Sequence, residues 1–165
     1  MSTDLYRMNN NPLYMQKAID HTLVHIAKNE GGPFGACIVK NDLIITINHN
    51  TVLKEGDATC HAEINAIRAA SALLNTHDLS QCEIYSTTEP CPMCFSAIHW
   101  ANINKIIYGT SIQDVQALGF KELCISNLKL KQLAHSNITI VANYMQTECQ
   151  VLLDQWRLKS NGITY

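Results

Sequence analysis

The chain has 165 residues, with 12 Lys and Arg against 14 Asp and Glu, a formal net charge of -2 and 47% hydrophobic content. This is the size of one domain with a real core. The balance of charge leaves no basic footprint for a nucleic-acid partner, and no run of about 18 apolar residues offers a membrane span. The polar start, Met1 to Asn11, shows no apolar core of a signal peptide. Cys37, Cys60, Cys82, Cys124 and Cys149 fall at no regular spacing, so they read as small hydrophobes in a reducing, cytoplasmic setting.

Asn11-Pro12 starts a first helix, Asn as N-cap and Pro at the first helical position. Met15, Ile19, Leu23 and Ile26 recur at helical spacing, and Glu30-Gly31-Gly32-Pro33 ends the helix. Strands are predicted over Phe34–Val39 and Leu43–Asn48, with Lys40-Asn41-Asp42 turning them into an antiparallel hairpin. A loop from Asn50 to Cys60 leads into a helix opening at His61, whose Ile64, Ile67, Ser71 and Leu74 form its predicted apolar face. Cys82–Thr88 is a third strand, and a helix runs from Cys91 to about Asn102. Lys105–Gly109 is a fourth strand, Ser111 caps a short helix closed by Gly119, and Lys121–Leu133 is partly helical. Ile138–Val141 is a fifth strand, and Met145–Leu158 is a last helix with Val151, Leu152, Leu153 and Trp156 on its apolar side. Helices alternating with strands predict an α/β protein with three α/β/α layers and a largely parallel sheet after the hairpin.

Two short motifs carry chemistry. His61-Ala62-Glu63 is followed downstream by Glu89-Pro90-Cys91-Pro92-Met93-Cys94. C-x-x-C alone would also serve a redox pair or half of a structural zinc site. H-x-E followed by P-C-x-x-C is the established signature of zinc deaminases. Cys91 and Cys94, at i and i+3, face one way at a helix start, where the helix dipole favours thiolates. Two thiolates and the His61 imidazole supply three ligands, leaving the fourth tetrahedral position open for water. Glu63 is then free to take that water's proton. His21, His25, His77, His99 and His135 read as structural or surface residues.

Gly31 to Ala36, Ala58 to Glu63, Glu89 to Cys94, Ala97 to Ala101 and Gly119-Phe120 together resemble the bacterial guanine deaminases of the cytidine-deaminase superfamily. That resemblance implies a cytidine-deaminase-like fold, a mixed five-stranded sheet between helices, and one domain over residues 1–165. It implies one zinc ion per subunit on His61, Cys91 and Cys94, with Glu63 as the base. It also implies a homodimer that exchanges a C-terminal segment of about residues 110–165. Asn50 would hydrogen-bond the purine, Phe34 would shape the pocket, and Trp100 would line it or a nearby interface. Asp114 would read guanine's edge, Glu148 would assist proton transfer to the leaving amine, and Tyr165 would cap the site. Residues 121–136 do not match closely. A tRNA-specific adenosine deaminase shares H-A-E and E-P-C-x-M-C, and a cytosine deaminase or a non-catalytic zinc-stabilised binding module would also hold this metal.

Overall fold

The computed structural model describes residues 10–160 and 163–165, so the polar start read above lies outside it over residues 1–9. The elements in order are α1 (Pro12–Ala27), β1 (Gly35–Lys40), β2 (Leu43–His49), α2 (Val52–Glu55), α3 (Ala62–Leu74), β3 (Cys82–Thr88), α4 (Pro92–Trp100), β4 (Lys105–Thr110), α5 (Ile112–Ala117), α6 (Asn127–Leu133), β5 (Thr139–Val141) and α7 (Gln146–Lys159). They build one five-stranded sheet in the order β2-β1-β3-β4-β5. β1 is antiparallel to both β2 and β3, while β3, β4 and β5 run parallel. The hairpin turn matches its chemistry. Asn41 and Asp42 take φ of 50° and 61°, the left-handed pair that a two-residue turn demands.

Side chains alternating along the strands feed two cores. Cys37, Val39, Tyr85 and Ile107 pack against α1 and α7 on one face, through Met15, Ile19, Leu152, Leu153 and Trp156. Ala36, Ile38, Ile84 and Ile106 pack against α3 and α4 on the other, through Ala66, Ala70, Phe95 and Ile98. The α/β/α layering expected from the sequence is thus present. No described helix is long and apolar enough to cross a membrane, and all seven cysteines are free.

Two helical faces differ from expectation. On α3 the buried residues are Ala62, Glu63, Ala66 and Ala70, not the Ile64, Ile67, Ser71 and Leu74 stripe, whose members lie at intermediate depth. Alanines one turn apart let the helix axis approach the sheet closely, and that approach turns Glu63 inward. On α7, Cys149, Leu152, Leu153 and Trp156 are buried, while Val151 is 43% exposed. The loop expected over residues 50–60 also holds the short helix α2, closed by Gly56 in a left-handed conformation at φ 65°.

Gly109 marks where α7 meets the sheet. A Cβ there would lie 2.6 Å from the Cβ of Cys149 and 2.8 Å from the backbone oxygen of Thr87.

Candidate active site

The candidate metal ligands stand at two helix starts. His61 is the N-cap of α3 and Cys91 the N-cap of α4, both extended, with ψ of 157° and 168°. Pro92 occupies the first position of α4, where its missing N–H costs nothing. Cys94 follows within the first turn, fully buried. Two positive helix ends therefore converge on one spot.

The Cys91 loop is braced from below by Glu89, which is 4% exposed. Its Oε2 accepts from the backbone N–H of Ile112 at 3.2 Å, and its Oε1 accepts from that of Asn127 at 2.8 Å. The Asn127 side chain in turn donates to the Pro90 carbonyl at 2.6 Å. Glu89 thus ties α5 and α6 to the loop that presents the cysteines.

His61 Nδ1 lies 3.6 Å from Sγ of Cys91 and 3.6 Å from Sγ of Cys94. A tetrahedral zinc ion with bonds of about 2.3 Å to sulfur and about 2.0–2.1 Å to nitrogen would set those separations at about 3.5 Å. The donor set and its spacing fit zinc. A hydrogen bond from Cys94 brings the Cys91 thiol down to about 4 against the opposing effect of burial, and His61 helps. The same bond pushes Cys94 well up, together with burial and the Glu63 carboxylate.

Glu63 is 5% exposed. Ser86 donates from its hydroxyl to Oε1 at 2.7 Å, and the Cys94 thiol reaches Oε2 at 3.3 Å. Burial raises its pKa, opposed by His61 and by the Ser86 hydrogen bond.

A cavity of about 330 Å³ opens over these groups. Phe34, Asn50, His61, Glu63, Cys91 and Tyr165 all line it, so the structure brings together most of the residues singled out from the sequence. Phe34, Phe120 and Tyr165 form an aromatic wall, with edge-to-face contacts at 5.1 and 5.3 Å between ring centres. Asn50 is 1% exposed. Its Oδ1 accepts from the Tyr165 hydroxyl at 2.7 Å and from the Val52 N–H at 3.1 Å. With the oxygen engaged twice, the amide nitrogen is the part left for a ligand.

Three expected residues stand elsewhere. Asp114 closes a capping box with Ser111 at the start of α5, its Oδ2 accepting from the Ser111 backbone and hydroxyl at 2.8 Å each. Glu148 is exposed in the first turn of α7. Trp100 is 79% exposed at the end of α4. None of the three lines the cavity of its own chain. Besides Glu63 and Glu89, an acid that the sequence reading passed over, Glu122, lines it. Burial raises its pKa, and the charges of Cys91 and Glu63 add to the effect. Its signal was the glycine three residues before it. Gly119 takes φ 96°, a turn that sends Phe120 and Glu122 back over the site.

Comparisons with known proteins agree with this geometry. The model of the family described as the cytidine and deoxycytidylate deaminase zinc-binding region matches residues 8–110. A guanine deaminase of Bacillus subtilis (strain 168) is 37% identical over 113 residues, spanning 68% of this chain and 72% of that protein. A tRNA-specific adenosine deaminase of Rickettsia typhi is 39% identical over 99 residues, 59% of this chain and 66% of its own. A solved guanine deaminase structure from Nitrosomonas europaea superposes with a TM-score of 0.82 at 28% identity, covering 96% of this chain and 94% of that one. The matched stretch runs through both the His61 and the Cys91 segments, and the chain belongs to the cytidine and deoxycytidylate deaminase zinc-binding family, as a zinc-dependent deaminase.

Proposed function

We propose that the cavity binds guanine and hydrolyses its exocyclic amine, giving xanthine and ammonia. The observation that carries this reading is the Tyr165–Asn50 hydrogen bond. It fixes the Asn50 amide so that Nδ2 is offered to the cavity. Guanine's O6 and N7 are both acceptors, and a donor suits them. On another side of the same cavity, Glu122 suits guanine's N1–H and amino group. The wall of Phe34, Phe120 and Tyr165 suits a flat heterocycle.

Zinc on His61, Cys91 and Cys94 would supply a Lewis acid that makes a water easier to deprotonate. Glu63, its Oε1 held by the Ser86 hydroxyl, would accept a proton from the attacking water on Oε2. It delivers the proton to the ring nitrogen beside the attacked carbon. Glu122, whose pKa burial raises, gives a proton to the departing amine and recovers one from the new hydroxyl as the carbonyl forms. Water adds oxygen to the carbon and ammonia leaves, so the atoms balance.

Within the single chain, Tyr165 closes the cavity, and in an exchanged dimer the partner's copy of residues 110–165 would bring the same ring. A homodimer and a cytoplasmic setting remain part of this reading, supported by the resemblance and by the free cysteines.

The rival is deamination of adenosine in tRNA, favoured by the similarity to the Rickettsia typhi enzyme. One assay separates them. Zinc-loaded protein is offered guanine, adenine, cytosine and an anticodon stem-loop, and ammonia, xanthine and inosine are measured. Xanthine from guanine is expected. Inosine in the stem-loop without xanthine would overturn the proposal.

A further inference from the structure

Away from the cavity, His21, His25 and His49 converge, each offering a ring nitrogen within 4.8 Å of the others. His21 and His25 stand one turn apart on α1, the i, i+4 spacing that puts two side chains on one helical face. His49 is the last residue of β2. His21 Nε2 and His49 Nδ1 are 3.1 Å apart. The His25 ring stacks on His49 with centres 3.8 Å apart, and its Nδ1 donates to Glu30 Oε2 at 2.6 Å. All three residues are partly exposed.

Hydrogen bonding among the described residues does not account for this gathering. Three rings carry six nitrogens, and only three of them are engaged. His49 Nε2 is buried with no partner among the described residues. The arrangement instead has the parts of a metal site. Three imidazoles gather with a ring nitrogen of each within 4.8 Å of the others. A carboxylate also grips the far nitrogen of His25, as the outer carboxylates of histidine-metal sites do. Burial, with the neighbouring imidazoles, holds His49 at about 4 and lowers His21, which keeps both in the neutral form that lends a lone pair.

We propose that His21, His25 and His49, with Glu30 orienting His25, bind a second divalent ion of the zinc, nickel or copper class. Imidazole ligands select such ions over magnesium and calcium. His25 turns off its stack on His49 by rotation about χ2, which is a soft torsion for an imidazole.

The place of the site gives it a consequence. Gly31 and Gly32 follow Glu30 directly. A Cβ on Gly31 would collide with the Asn50 carbonyl and approach the His49 ring at 3.0 Å, and one on Gly32 would collide with the Tyr165 hydroxyl. The ion would therefore clasp the end of α1 to the end of β2 across the turn on which Asn50 and Tyr165 rest.

The test does not depend on what the cavity turns over. Protein without a histidine tag is loaded with zinc at the cysteine site and titrated with cobalt by calorimetry and visible absorption. Wild type is expected to take a second equivalent at roughly micromolar affinity, without the near-ultraviolet bands of thiolate ligation. His21→Gln and His25→Gln should each lose that equivalent while keeping the cysteine-site zinc, which also reports a folded chain. Glu30→Gln should weaken it by about 10-fold or more. Absence of a second equivalent in wild type overturns the proposal, as does its survival in both histidine variants. Uptake that excess magnesium abolishes does the same.

Discussion

Glu63 sits at a compromise between two opposed influences. Burial pushes its pKa up, and the Ser86 hydroxyl pulls it back. Glu63→Gln keeps its size and leaves His61, Cys91 and Cys94 untouched. It should retain the metal, by elemental analysis, while losing at least about 10²–10⁴-fold in kcat. Ser86→Ala gives a finer test with a definite sign. Without the hydroxyl the carboxylate loses a donor, so its pKa rises further. Because Glu63 must be ionised to take a proton, the acid limb of the kcat profile should shift to higher pH. A profile that does not move would mean Glu63 is not the base that limits the reaction at low pH. At this scale the gathering of His61, Glu63, Cys91 and Cys94 was legible in the sequence because it rests on two short motifs. Glu122 was not. Its link to the site is a turn at Gly119, and a lone acid in a loop carries no periodic signal. The histidine cluster was hidden for a related reason: His49 meets His21 and His25 only after the sheet forms.

Among the elements, caps and turns were read well because their chemistry is short-range. Asn11 accepts from the Leu13 N–H at 3.0 Å, and Ser111 caps α5 in a full capping box. Burial on α3 was misjudged because alanine gives little hydrophobic signal while allowing the closest packing. Packing between α7 and the sheet offers a stability test. Gly109→Ala would press a methyl against Cys149 and the Thr87 carbonyl, and backbone cannot yield as a side-chain tip can. The variant should lose about 1–3 kcal/mol or more in denaturant unfolding. Cys149→Ala in the same background should recover part of the loss, since the most crowded contacts are with that side chain.

For the molecule as a whole, acid should act first at the α1–β2 edge. The folded state holds His49 at about 4, against an ordinary value of 6.5, chiefly through burial and then through His25 and His21, with Glu30 opposing. The unfolded chain binds that proton more readily. The contribution to stability is therefore full above pH 6.5 and is lost as pH falls toward 4. In metal-free buffer the wild-type denaturant midpoint should decline across that window, and His49→Gln should show a flatter course. Equal slopes would remove His49 from the account. The order of layers and strands was legible as a whole because alternating helices and strands leave few topologies open. The closure of the cavity by residue 165 was implied by a resemblance, and no residue pattern foretold that the tail would meet Asn50 of its own chain.

The alanines of α3 deserve a last consideration. Ala62, Ala66 and Ala70 work as a shim of fixed thickness between helix and sheet. The depth at which Glu63 lies is set by three buried methyl groups. A thicker shim would lift the base while His61, at the helix's leading edge, could keep its grip on the metal. In the proposed reaction, metal affinity and rate would then be separable, and a larger residue at Ala66 or Ala70 is expected to lower kcat while leaving bound zinc unchanged by elemental analysis.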